Sequence, residues 1–249
     1  MMKFNKKIFK YKLFRLFSKR YSKIFNSIYK QKLNSVLLDL LKKGLEINII
    51  YDIGAYRGEF SDYLNQSILI KRSFYLFEAN KKNSEYLDKL NFRYFIGALS
   101  DSIKEVTFYS KSLSGDSYYR EQTSFYDSSD GKNILTSTLD DVSQSNNLPF
   151  PDFIKIDTQG SELDILKGGK KTISKCKLIY MECPIIEYNA GSPKLDDYIS
   201  FLDSIDFVPY DICEVHHIDN ILVQVDIIFI RKPIFRKIFP QETILNIIN

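Results

Sequence analysis

With 249 residues, of which 44% are hydrophobic and 27% charged, the chain is large enough for a single α/β domain, and its composition excludes disorder over most of its length. The net charge of +4 is uneven, because residues 1–43 contain thirteen Lys or Arg and one acidic residue, which leaves −8 for residues 44–249. The acidic body argues against a nucleic-acid partner that needs a long basic groove.

The first 43 residues form a basic arm, in which apolar residues recur at spacings of three or four between Lys and Arg. This pattern predicts one or two amphipathic helices. Three kinds of partner fit the arm. They are the anionic inner face of a membrane, a protein surface (the chain's own domain or a second copy in a homo-oligomer), and RNA. The sequence predicts a cytoplasmic protein, since no apolar run reaches about 18 residues and no uninterrupted secretion signal is present.

Residues 44–232 alternate short apolar runs with helical stretches, which predicts βαβ units on a parallel sheet. The predicted elements are strand Ile47–Tyr51, helix Ser61–Asn65, strand Phe74–Phe77, helix Asn83–Leu90, strands Tyr94–Ile96, Val106–Tyr109 and Phe153–Ile156, helix Glu162–Leu166, strand Leu178–Met181, helix Leu195–Ser204, and strands Phe207–Tyr210 and Val225–Ile230. Residues 233–249 are predicted to be a C-terminal tail.

A long loop over Ser110–Lys132, rich in Ser, Gly, Asp and Tyr, interrupts this rhythm. Loops of this length in compact domains often serve function, so a lid or a substrate wall is expected. Its aromatic side chains either stack on a sugar ring or fill the loop's own core; they are Tyr118, Tyr119, Phe125 and Tyr126.

A glycine-containing turn, Asp52–Gly58, follows the first predicted strand and leads into a helix. Gly54 and Gly58 allow a ligand to approach the backbone or allow positive φ angles, and Asp52 offers a carboxylate to loop amides or to a cationic group. A plain tight turn explains the spacing equally well.

Glu78 ends the next predicted strand, 20 residues after Gly58, where an acidic side chain can bind ribose hydroxyls. The turn and this residue fit a dinucleotide dehydrogenase or a methyltransferase. Pyrophosphate binding uses G-x-G-x-x-G, and here Tyr56 replaces the middle glycine. S-adenosylmethionine is therefore favoured, because it lacks pyrophosphate and its sulfonium suits Asp52 and an acidic body.

Four segments make the chain resemble the FkbM family of methyltransferases: 52–58, 76–80, 97–101, and 154–162 together with 166–169. The resemblance covers about residues 48–231, and the segment from Lys155 to Glu162 is its most specific part. It implies an α/β, Rossmann-like class I methyltransferase fold with a seven-stranded, mostly parallel sheet and helices on both faces. It also implies S-adenosylmethionine as donor and, usually, a hydroxyl acceptor on a sugar, a glycolipid precursor or another small molecule.

The family pattern also implies site residues. The methionine end of the cofactor is expected near Asp52, Gly54 and Gly58, the ribose at Glu78, and the adenine near Ala98 and Leu99; the adjoining Tyr56 and Ala79 complete the predicted cofactor set. Asp157 would face the reaction centre. The sequence departs from the family at Tyr56, where Asn is frequent, and at Gln159, where Glu is usual, which removes one possible acid.

A general base is needed only to take the acceptor's proton, and the candidates lie at or just beyond predicted strand ends. They are Asp157, Glu182 and Glu187, with His216 and His217 in a predicted loop between the last two strands. Surface or structural histidines are an equally good interpretation. Asp226, inside an apolar strand, is expected to be a buried, hydrogen-bonded structural group.

Metal binding by Asp157, Glu182 and a histidine is conceivable, but the spacing is not diagnostic, so no metal ligand is predicted. Three cysteines without CxxC spacing are interpreted as buried, reduced thiols. They are Cys176, Cys183 and Cys213. Two other functions remain open: an RNA methyltransferase that uses the arm, and a non-catalytic module that binds S-adenosylmethionine and assembles a complex.

Overall fold

The computed structural model describes residues 32–110, 115–122 and 131–239. Its helices and strands are α1 (residues 32–42), β1 (Ile49–Ile53), α2 (Glu59–Ser67), β2 (Ser73–Glu78), α3 (Ser84–Leu87), β3 (Arg93–Ile96), β4 (Leu99–Ser100), β5 (Glu105–Phe108), β6 (Lys132–Leu135), β7 (Ser137–Thr138), α4 (Leu139–Ser145), β8 (Phe153–Ile156), α5 (Glu162–Gly168), α6 (Lys170–Ile173), β9 (Leu178–Pro184), α7 (Leu195–Ser204), β10 (Phe207–Ile218), β11 (Ile221–Arg231) and α8 (Lys232–Ile238).

Seven strands form one sheet in the order β10-β11-β9-β8-β1-β2-β3. Neighbouring strands are parallel, except that β11 runs antiparallel to both β9 and β10. The predicted seven-stranded, mostly parallel sheet is confirmed. From β1 the chain first builds outward to β2 and β3 and then returns to β8 on the other side, which makes β1 and β8 the switch point where such sheets bind ligands.

Helices cover both faces of the sheet, as predicted. Side chains of α4 to α7 pack with one set of strand residues, and those of α1 to α3 and α8 pack with the other. The alternation is clear in β1, where Tyr51 and Ile53 join the first core and Ile50 joins the second. Both cores form because successive strand residues point to opposite faces.

Part of the basic arm belongs to the folded domain. In α1, four side chains at helical spacing are buried in the second core: Leu33, Val36, Leu37 and Leu40. Residues 32–42, which the sequence assigned to the arm, thus pack on the sheet as α1. The rest of the arm, residues 1–31, lies outside the described residues. Among the described helices, none combines the length and hydropathy needed to cross a bilayer.

The predicted C-terminal tail is also corrected, because its first residues form α8. Pro233 lies in the first turn, where a missing backbone N–H costs no hydrogen bond. Ile234, Phe235 and Ile238 pack against the second core. The helix ends at Ile238, and the described chain ends at residue 239. Residues 240–249 lie outside the described residues.

The last two strands form a long hairpin, so placing His216 and His217 in a loop was wrong. Strands β10 and β11 pair from Phe207 opposite Arg231 to Ile218 opposite Ile221. The two residues that join them, at positions 219 and 220, both have positive φ angles, as two-residue hairpin turns require. The outer half of the hairpin carries polar side chains that break the apolar run, and the sequence pattern therefore missed it.

The three cysteines are buried and form no disulfide, as predicted. Burial raises the pKa of the Cys176 and Cys213 thiols to about 12, and it raises that of Cys183 well above its usual value.

We therefore expect the folded protein at pH 8 to react with Ellman's reagent on none of its three thiols within minutes, and the unfolded protein to react on all three. Absorbance of the released thiolate measures both. Rapid reaction of a folded thiol would contradict the packing around that cysteine.

Candidate active site

A cleft opens at the carboxyl ends of β1 and β8, the position expected at the switch point of the sheet. Its walls come from the turns after β1, β2 and β8, from the segment after β3, and from residues 116–118 of the predicted loop. The lining residues are Ile53, Gly54, Tyr56, Phe77, Glu78, Ala79, Asn83, Gly97, Ala98, Leu99, Phe108, Asp116, Ser117, Tyr118, Asp157, Thr158, Ser161 and Ile165.

The turn after β1 is held by its neighbours on both sides. The amides of Gly54 and Ala55 donate to the carbonyl of Phe77 at 2.9 and 3.1 Å. Gly54 has a φ of 73°, and a Cβ there would overlap the backbone carbonyl oxygen of Asp157. Glycine is therefore needed at this position for the close packing of β1 on β8, whether or not a ligand is present.

Two predicted cofactor residues, Asp52 and Gly58, do not line the cleft. Asp52 is fully buried, accepts a hydrogen bond of 2.6 Å from Ser61 and faces Lys155 at 3.3 Å. Gly58 precedes α2 with a φ of 77°, and a Cβ there would collide with leucine side chains from beneath the turn, of which Leu90 is the nearest. Both residues contribute to the packing of the turn and not to the wall of the cleft.

Lys155 is the cation beneath this turn, and sequence analysis gave it no individual role. Its ammonium donates to the Gly54 carbonyl at 2.8 Å and faces the carboxylates of Asp52 and Asp157 at 3.3 and 3.5 Å. Burial alone would lower the pKa of Lys155, but the two carboxylates outweigh it and raise the pKa above its usual value. The sequence does hold a sign of this role, because Lys155 is a charged residue inside the apolar run Phe153–Ile156.

Glu78 lies in the cleft, where the sequence placed it. Its two carboxylate oxygens accept hydrogen bonds from the amides of Tyr56 at 2.7 Å and Asn80 at 2.8 Å. Burial raises the pKa of Glu78 despite these bonds. The Asn83 side chain binds the carboxylate as well, which leaves lone-pair capacity on Glu78 for a ligand hydroxyl.

The wall beside Glu78 is apolar. Ala98 and Leu99, predicted to lie beside the adenine, are buried and line the cleft, as does Ala79 after β2. Phe77 and Phe108 extend the same wall. A flat aromatic group fits against such a surface, while the polar groups of Glu78 lie at its edge.

Gln159 links Asp157, which lines the cleft, to Glu182, which is not among the lining residues. The amide of Gln159 donates to Asp157 at 3.1 Å and to both Glu182 oxygens at 3.2 and 3.3 Å. The hydroxyl of Tyr188 donates to Glu182 at 2.5 Å. Burial, followed by the charges of Asp157 and Asp226, raises the pKa of Glu182 well above its usual value. Gln159 thus joins the two acids that the sequence listed separately.

The other predicted bases lie apart from the lining residues. Glu187 is exposed and accepts a hydrogen bond of 2.7 Å from the Gly191 amide. His216 faces Asp226 at 3.4 Å and Glu214 at 3.6 Å, and its pKa is raised chiefly by Asp226. Asp226 is largely buried and accepts a hydrogen bond from Tyr180 at 3.0 Å, as the structural interpretation expected.

The segment 115–122 forms a wall of the cleft. Ser117 pairs with Tyr109, and its hydroxyl donates to the Gln159 carbonyl at 2.9 Å. The hydroxyl of Tyr119 donates to Asp164 at 3.0 Å, and that of Tyr118 does so at 3.2 Å. These two rings are thus anchored by their polar ends, while Phe125 and Tyr126 lie outside the described residues.

The close approach at Gly54 is testable by substitution. We expect Gly54→Ala to lower the free energy of unfolding by about 3 kcal/mol or more, because a clash adds to backbone strain. Gly191→Ala is the matched control, since Gly191 also has a positive φ but no atom near its Cβ position; about 1 kcal/mol is expected there. Urea unfolding measures both, and equal losses would contradict the packing.

A family model and a curated relative match parts of this chain. The profile of the Methyltransferase FkbM domain matches residues 52–209. The chain is 35% identical over 75 residues to the 2-O-methyltransferase NoeI of Sinorhizobium fredii (strain NBRC 101917 / NGR234), a match that covers 30% of this chain and 31% of that protein.

Two solved structures are similar at low identity. A methyltransferase FkbM from Methylobacillus flagellatus KT is 20% identical with a TM-score of 0.46, over 73% of this chain and 43% of that one. The magnesium protoporphyrin IX methyltransferase of Synechocystis PCC 6803, with bound SAM, is 11% identical with a TM-score of 0.45, over 81% and 79%. The family match covers more than half of the sequence, and the chain therefore belongs to the FkbM family of methyltransferases.

Proposed function

We propose that this methyltransferase uses S-adenosylmethionine to methylate a hydroxyl of a sugar, a glycolipid precursor or another small molecule. One observation carries the choice of donor: among the described residues, the cleft is lined by the carboxylates of Glu78, Asp116 and Asp157 and by no Lys, Arg or His. Such a site suits a sulfonium cation and lacks the positive groups that a pyrophosphate would attract.

The shape of the cleft supports an adenosyl ligand. Glu78 offers a fixed carboxylate to the two ribose hydroxyls, and the apolar wall at Ala98 and Leu99 suits the adenine ring. Gly54 and Asp157 would hold the methionine end of the ligand. When bound, S-adenosylmethionine supplies an electrophilic methyl group on a sulfonium centre.

The chain's part in the reaction is to position the acceptor and to take its proton. Asp157 is the proposed base, because it lines the cleft and 41% of its side chain is exposed. Lys155 and Gln159 hold its two oxygens from below and from the side. Glu182, which lies outside the cleft lining, is the proposed positioning residue: it binds the Gln159 amide that holds Asp157.

An oxygen acceptor is favoured by two independent points. A hydroxyl must lose a proton on methylation, and a carboxylate at the open end of the cleft can accept it. The relative NoeI is named as a 2-O-methyltransferase. The match spans less than a third of that protein, and the acceptor class is therefore proposed on the chemistry of the site as well.

Donor binding is tested by calorimetric titration with S-adenosylhomocysteine, with NAD as a control ligand. We expect the wild type to bind S-adenosylhomocysteine and not NAD, and Glu78→Gln to weaken binding about tenfold or more, because a charged acceptor for the ribose hydroxyls is lost. Glu85→Gln, on the exposed side of α3, should bind as the wild type does. Preference for NAD would contradict the proposal.

Catalysis is tested with labelled S-adenosylmethionine against a panel of sugars, glycolipids and small-molecule alcohols. With any acceptor that is labelled, Asp157→Asn should lower kcat about 100-fold or more, since the proton acceptor is lost, while affinity for S-adenosylhomocysteine stays within about threefold. Glu187→Gln, an exposed acid outside the cleft, is the matched control. Equal rates for Asp157→Asn and the wild type would remove Asp157 as the base.

A further inference from the structure

The β10–β11 hairpin brings together a histidine and two carboxylates that the proposed reaction does not use. Glu214 and His216 lie two residues apart on β10, so their side chains leave the same face of the strand. Asp226 lies directly opposite Glu214 on β11. All three residues are partly buried, and one ligand atom from each lies within 4.8 Å of the others.

The distances match those between neighbouring ligands of one metal ion. The Nε2 atom of His216 is 3.6 Å from Glu214 Oε2 and 3.4 Å from Asp226 Oδ1. Ligands at right angles around an ion with bonds of about 2.1 Å are separated by about 3 Å. Shifts of about half an ångström would bring the His216 nitrogen to this spacing from each carboxylate oxygen, and the two oxygens lie within 4.8 Å of each other.

The His216 Nε2 atom is a second, independent observation. It is inaccessible to solvent and makes no hydrogen bond of acceptable geometry, although it points between two carboxylates. Its contacts with the two carboxylates are at ion-pair distance without a hydrogen bond of good geometry. A metal ion between the three groups would take the imidazole nitrogen and both carboxylates as its ligands.

Neighbouring side chains already orient one of the carboxylates. The hydroxyl of Tyr180 donates to Asp226 Oδ2 at 3.0 Å, and the amide of Gln224 donates to Oδ1 at 3.1 Å. Metal-binding carboxylates are typically held by such hydrogen bonds. The strand positions are also rigid, because Asp226 pairs with Glu182 on β9 as well as with Glu214 on β10.

We propose that Glu214, His216 and Asp226 bind a divalent transition-metal ion on the β10–β11 hairpin. The mixed nitrogen and oxygen set favours ions such as Zn²⁺, Mn²⁺, Fe²⁺ or Co²⁺ over Mg²⁺ and Ca²⁺, which prefer oxygen alone. Three protein ligands leave further coordination positions for water or a bound molecule. This site lies outside the cleft-lining residues and does not depend on the function proposed above.

The test is a titration of the full-length, tag-free protein with Co²⁺ after treatment with a chelator, followed by visible absorbance. We expect one ion per chain in the wild type, and affinity at least about tenfold lower in His216→Gln and in Glu214→Gln, because each loses a ligand. His217→Gln is the matched control: it removes the neighbouring, exposed histidine of the same strand, and its affinity should equal that of the wild type.

A further variant tests the orientation of the carboxylate without touching a ligand atom. Tyr180→Phe should weaken Co²⁺ binding about tenfold, because the hydrogen bond to Asp226 is lost. Circular dichroism melts without metal identify any variant that fails to fold. The proposal is overturned if the wild type shows no saturable binding, if His217→Gln weakens binding as much as His216→Gln, or if a thiolate charge-transfer band places the ion on cysteine.

Discussion

The structure of the cleft depends on one buried ammonium group, that of Lys155. It joins the ends of β1 and β8, because it binds the Gly54 carbonyl and two carboxylates, one from each strand. Removing either kind of partner would leave a buried charge uncompensated, which is costly in the protein interior. The glycine turn, the sheet switch point and the proposed base are thus held by the same contact, and small changes there would alter all three.

Residues around the glycine turn have two different roles: some support the turn, and others face the cleft. Asp52 and Gly58 look like ligand-binding residues in the sequence, yet the Asp52 side chain faces Ser61 and Lys155, and a Cβ added at Gly58 would collide with Leu90. Glu78 is left as the charged side chain of this region that faces the cleft. The acidic cleft then follows from Glu78, Asp116 and Asp157, which reach it from three different segments.

A row of polar side chains crosses the face of the sheet that also carries α1 and α2. It runs from Asp52 and Lys155 through the hydroxyl of Tyr180 to Asp226, where the hairpin adds Glu214 and His216. Polar groups on a covered sheet are tolerated because each is paired with a neighbour on the next strand. The row ends in the proposed metal site, where the His216 nitrogen lies within ion-pair distance of Asp226 and Glu214.

The architecture could be predicted from the amino-acid sequence. Short apolar runs and helical stretches alternate as a parallel α/β sheet requires, and the strand ends carry Glu78 and Asp157 to the cleft. The buried, free cysteines could be predicted as well, because they lack the spacing of a metal or disulfide motif. The resemblance to the family could also be seen in the sequence, because the motifs at residues 52–58 and 154–162 are contiguous segments.

Which of these residues act together depends on the fold. Gln159 joins Asp157, just after β8, to Glu182 on β9, and Lys155 on β8 meets Asp52 on β1; neither pairing leaves a local pattern in the sequence. The outer half of the hairpin was missed because its polar side chains break the apolar run, while its pairing joins residues of two different strands. Contacts between distant segments depend on packing of the whole sheet, which short-range patterns do not encode.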